Sequence, residues 1–192
     1  MENPQDLAEV AAHFCRLAGE ILSTWTFQKQ LSDRWDDTDA LRSPRVDHFF
    51  EKLNEMLVDS WYMSVARIHD PGISFGKHNL TVNYIVERND LEESTKTELK
   101  TLLEKMAAFV ENAKKPRNKL LAHNDLEAVT GTGSLGGFDV GDEVVYLQHL
   151  HSFAEIVSQK SCGTPFVFDD LIANDVDAVA TLLNRGLASR PD

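Results

Sequence analysis

Apolar residues recur at intervals of three and four along most of the chain, which is the period of a helix with one buried face rather than the alternation of a half-buried strand. Leu7, Val10, Phe14, Leu17, Ile21 and Trp25 form one such stripe, and Val46, Phe50, Leu53, Leu57, Trp61, Val65 and Ile68 form a second. Leu99, Leu102, Met106, Phe109 and Val110 make a third, and Val144, Leu147, Leu150, Phe153 and Val157 a fourth. Val176, Val179, Ala180 and Leu183 make the last, with Asn174 as its expected N-cap and Gly186 as its end. The six prolines fall between or at the ends of these stripes. Ser43 before Pro44 is a suitable helix start, and Asp70, Pro71 and Gly72 form a stop. Residues 80–87 are rich in β-branched side chains but have no evident partner strand, so they are read as a short helix. The pattern predicts an all-α fold, an antiparallel helical bundle forming a single domain over 1–192. Residues 125–139 are expected to be a flexible glycine-rich connector, and 188–192 a tail.

A chain of 192 residues with 42% hydrophobic and 26% charged residues can bury a core without covalent staples. Two cysteines, Cys15 and Cys162, are too few for a disulfide framework or a four-cysteine zinc site, and the expectation is a reduced, cytoplasmic protein. The N-terminus lacks a basic start and an apolar run, so no signal peptide is expected, and no window is apolar enough for a membrane span. The net charge of −12 argues against a general nucleic-acid coat, and DNA is not expected as a partner.

Three local patterns carry little chemistry. Gly131, Gly133 and Gly136 fit a dinucleotide-binding spacing, but no strand precedes them and Asp139, Asp142 and Glu143 follow, which repel phosphate. His149 and His151 stand two apart and would point in nearly opposite directions on a helix, so they are read as partly exposed helix histidines. The acidic run Trp35 to Asp39 lacks the glycine and terminal glutamate of a calcium loop and is expected to be a solvated interhelix loop. No metal and no cofactor is expected.

Residues 112–124 stand apart. They carry Lys114, Lys115, Arg117 and Lys119 and no acid, a local +4 on a chain of −12, leaving −16 for the rest. An anionic ligand would meet a repulsive body with one attractive notch. Arg117 can fork two hydrogen bonds onto a phosphate. His123 is the side chain best suited to move a proton near neutral pH. Asn118 can donate or accept toward a sugar or phosphate oxygen. The bland alternative is a solvated helix end whose cations meet the helix dipole.

The run Arg117, Asn118, Lys119, Leu120, Leu121, Ala122, His123 resembles the R-x(4–6)-H signature of the HEPN superfamily, with a polar residue after the arginine. A second match, Arg42 to His48, sits at a proline-led helix start and is set aside. The order of a helix ending in Ser64 to Pro71, then Asn79 to Thr81, a helix, and Arg117 to Asp125 is similar to the Abi-U type, abortive-infection branch. The resemblance spans roughly residues 45–160. It implies a homodimer that brings two motifs together, and a metal-independent endoribonuclease of toxin or phage-defence type acting on single-stranded RNA. Arg117 would stabilise the phosphorane, His123 would transfer protons or contact phosphate, and Asn118 would orient the groups. Lys114, Lys115, Lys119 and Asn124 would hold the RNA, and an antitoxin or other regulatory protein is a further expected partner. Six residues of helix turn through about 600°, leaving Arg117 and His123 roughly 120° apart, which is consistent with two copies sharing a two-fold axis; a bend at Pro116 that rotates Arg117 inward is the alternative. Two alternatives remain: a non-catalytic HEPN dimer that binds a protein partner or nucleotide, and an unrelated adaptor in which Arg117 and His123 make internal contacts.

Overall fold

The computed structural model describes residues 6–37, 43–44, 46–116, 139–168 and 171–188. Among them are six helices: α1 (Leu7–Asp37), α2 (Asp47–Ile68), α3 (Val82–Glu87), α4 (Glu93–Pro116), α5 (Asp142–Cys162) and α6 (Leu171–Ala188). The only strands described are β1 (Ile73–Ser74) and β2 (Lys77–His78), a minimal antiparallel hairpin between α2 and α3. The fold is all-α, a helical bundle. The chain divides into two compact units, Met1–Glu20 with Tyr62–Val167 and Ile21–Trp61 with Phe168–Asp192.

In the first unit α4 and α5 form the most extensive helix pair. Leu99, Met106, Leu150, Phe153 and Val157 are fully buried there, and Phe14 of α1 meets Phe153 with ring centroids 5.3 Å apart. Stacking of Phe109 on Tyr146, at 4.7 Å, closes one end of the α4–α5 seam. The short helix α3 forms as its spacing predicts. The Thr81 hydroxyl accepts from the Tyr84 amide at 3.2 Å as an N-cap, and Val82, Tyr84, Ile85 and Val86 are all buried. Capping and burial together override the β-propensity of this stretch. Its exit is Arg88, whose guanidinium is almost wholly buried and forks onto Asp90 at 2.9 and 2.6 Å while donating to the Tyr84 hydroxyl.

The second unit is built on aromatic contacts. Trp25 lies 4.8 Å from Trp61, and Trp35 meets Phe50 edge-on at 6.3 Å. Leu31 and Phe50 anchor a cluster with Val46, Leu53, Leu57 and Leu183 packed against it. Arg34 forks onto Asp177 at 2.6 and 3.1 Å.

Three boundaries differ from the sequence reading, one on α1 and two on α6. Trp35 to Asp37 belong to α1 rather than to an interhelix loop, because Trp35 finds Phe50 to pack on and the helix continues to present it. Asn174 lies inside α6 rather than capping it. The apolar spacing runs back through Ile172, so the helix begins at Leu171, and it continues through Gly186 to Ala188. Residues 125–138 of the expected connector and 189–192 of the expected tail lie outside the described residues.

Candidate functional site

The approach to the basic segment is built on the end of α2. The last carbonyls of a helix have no partner within it. Here the chain tightens into a turn, with the His69 amide bonded to Ala66 and that of Asp70 to Arg67. The His69 and Asp70 carbonyls then point to side chains from elsewhere. The Asn83 amide of α3 donates to both, at 3.4 and 3.1 Å. The Lys114 ammonium, in the last turn of α4, donates to the His69 carbonyl at 3.1 Å. A cation on the negative end of a helix is a favourable electrostatic match as well as a hydrogen bond.

The His69 ring is buried beneath this contact and its Nε2 lies 3.2 Å from the Tyr146 hydroxyl. Burial, with the Lys114 charge beside it, pushes the His69 pKa down to about 3, so the ring is neutral under ordinary conditions. Burial also pushes the Tyr146 hydroxyl well above its usual range, keeping it a neutral partner. Stacking of Tyr146 on Phe109 joins this polar pair to the α4–α5 seam. The result is a latch in which α2, α3, α4 and α5 each supply one part. It fixes the position of α4 three residues before Arg117.

The turn also needs Gly72. A Cβ there would stand 3.1 Å from the Tyr84 backbone and from the Glu87 carboxylate, so a larger residue would need α3 to give by a few tenths of an ångström. Sequence reasoning singled out neither His69 nor Tyr146. The available signal was the sequence His69, Asp70, Pro71 at a helix end, which brings a titratable side chain to an unsatisfied carbonyl end.

Of the predicted site residues, Lys114 is half-buried and engaged with His69, and Lys115 is exposed with its ammonium 2.8 Å from the Asn112 side chain. Arg117, Asn118, Lys119, His123 and Asn124 lie outside the described residues. The latch nevertheless brings the end of the Ser64–Pro71 segment against Lys114, the first cation of the basic segment. His149 and His151 are half-buried residues of α5, as read from the sequence, and His151 packs against Phe166 at 5.2 Å. The acids Asp142 and Glu143 occupy the first turn of α5, where Asp142 accepts from the Asp139 amide and Glu143 from the Gly141 amide. In the second unit a pocket of about 260 Å³ is lined by Leu31, Ser32, Trp35, Glu51 and Asn54, and includes none of the predicted site residues. Among the described residues no three metal-ligating side chains gather, and no helix is long and apolar enough to cross a membrane.

The all-α bundle is the fold that the resemblance to HEPN proteins implies. The AbiU2 family model matches residues 5–182, and the chain belongs to that family of HEPN proteins. No curated protein and no solved structure matches the chain.

Proposed function

We propose that the chain is a metal-independent endoribonuclease of toxin or phage-defence type, cutting single-stranded RNA as a homodimer. The observation that carries this reading is the span of the family match, residues 5–182, which takes in the whole run from Arg117 to Asn124. The latch supports it, because a site that must hold charge in the transition state needs its anchor fixed beforehand.

The ribose 2′-hydroxyl attacks the adjacent phosphorus, a P–O2′ bond forms and the P–O5′ bond breaks. The proton lost from the 2′-oxygen and the one gained by the leaving 5′-oxygen pass through His123, one copy from each protomer. Arg117 forks onto the non-bridging oxygens as charge builds there, and Asn118 orients the reacting groups. Lys115, Lys119 and Asn124 hold the flanking phosphates, and Lys114 positions the segment through His69.

The net charge of −12 favours one second reading, a non-catalytic dimer that binds a protein partner or nucleotide through the same residues. Incubation of the full chain with a mixed single-stranded RNA pool in EDTA separates the two. Cleavage by wild type and its loss, by a hundredfold or more, in folded Arg117→Ala and His123→Ala proteins is the expected result, since each substitution removes a transition-state contact or a proton carrier. Intact RNA after incubation with a folded wild-type dimer would favour the binding module.

A further inference from the structure

The hairpin between α2 and α3 presents an aromatic ring in an unfavourable way. Its two-residue turn is Phe75 and Gly76, both with left-handed backbone, φ 49° and 74°. Two consecutive positive φ values define the turn type that suits the twist of a hairpin, and Asn-Gly is the sequence that favours it. A bulky residue at the first position is costly. Phe75 recovers none of that cost by packing, because it is fully exposed, at 106% of the reference area. Other exposed apolar side chains, such as Phe49, Met56 and Leu182, lie on helices in ordinary backbone. A strained, solvated aromatic at the tip of a turn calls for an external partner.

The hairpin is held rather than loose. Its register pairs Ile73 with His78 and Ser74 with Lys77. Asn79 ties its base by donating from its backbone to Gly72 and from its side chain to Pro71 and Ser74, at 2.9, 3.0 and 2.9 Å. The His78 ring rests 5.4 Å from buried Tyr84. Two residues along the chain from Phe75, at the start of β2, is an exposed cation, Lys77, while the acids Asp70 and Glu87 lie at the root. That root is the His69–Asp70 turn onto which Lys114 latches.

We infer that Phe75 is a stacking platform for one base of the single-stranded RNA, with Lys77 meeting the adjoining phosphate. The inference rests on the ribonuclease reading and extends its substrate contacts beyond the Arg117–Asn124 segment. An exposed aromatic next to a cation is the combination by which proteins hold single strands without reading their sequence. A rigid mount means little order is lost on binding.

The test uses the full chain and a fluorescein-labelled 2′-O-methyl RNA, which binds but cannot be cut, read by fluorescence anisotropy. Phe75→Asn is the informative variant, because Asn-Gly relaxes the turn while removing the ring. It should melt at or above the wild-type temperature yet bind about tenfold more weakly, and Phe75→Trp should retain wild-type affinity. Unchanged affinity in Phe75→Asn, from a chain that still cleaves ordinary RNA, would overturn the inference and leave the ribonuclease standing. A wild-type chain that neither binds nor cleaves RNA would overturn both. Conversion of a wild-type dimer into monomers by Phe75→Asn, seen by sedimentation, would assign the ring to a contact between copies and overturn the RNA platform.

Discussion

His69 shows how one side chain can link the stability of the latch to pH. Its pKa is near 6.5 in an unfolded chain and about 3 in the fold. Between those values the unfolded state binds a proton that the native state refuses, so stability is intact above pH 6.5 and falls as the pH drops toward 3. The contribution approaches one proton, about 1.4 kcal/mol per pH unit over the middle of that window. Replacement by glutamine removes the titration while keeping a polar group near Tyr146. Urea unfolding of His69→Gln between pH 4 and 6 should therefore show a shallower decline than wild type, by close to one proton. Equal slopes would mean that the ring is not held neutral. Lys114 meets the same turn from the end of α4. Sequence reasoning offers it as a phosphate contact, and the structure gives its ammonium a backbone carbonyl.

Among the helices, burial outweighs charge. Phe153 of α5 is fully buried against Phe14, and its truncation to alanine removes a ring that little can replace. The expected loss is about 3–5 kcal/mol by urea unfolding. The Arg34–Asp177 fork has better geometry than most surface pairs, yet its side chains are 41% and 48% exposed. Solvent screening limits its worth, so Asp177→Asn should cost less than about 1 kcal/mol. A larger loss for Asp177→Asn than for Phe153→Ala would reverse this ranking. Element identities were largely legible because helical spacing repeats within each stripe, and even α3 could be read despite its β-branched residues. The end of α1 was not, because what extends it is the packing of Trp35 on Phe50, a contact remote in sequence. The hairpin was also hidden. Its strands are two residues each, and Phe75 replaces the asparagine that would have marked the turn.

Across the whole chain, two kinds of information met at different ranges. The basic notch and its Arg117–His123 spacing are contiguous, so they were visible in the sequence and led to the family that residues 5–182 match. The latch behind the notch joins His69 to partners 45 and 77 residues away, which no local pattern reveals. A fixed helix end thus leads into the segment proposed to cut RNA. The proposed reaction is defined by the bond that breaks and the oxygen that attacks. The most direct measurement is mass spectrometry of the RNA fragments made by the wild-type chain in EDTA. Attack by the 2′-hydroxyl leaves 2′,3′-cyclic phosphate on the upstream fragment and a free 5′-hydroxyl on the downstream one. Fragments ending in 3′-hydroxyl and 5′-phosphate, or no fragments at all, would contradict it.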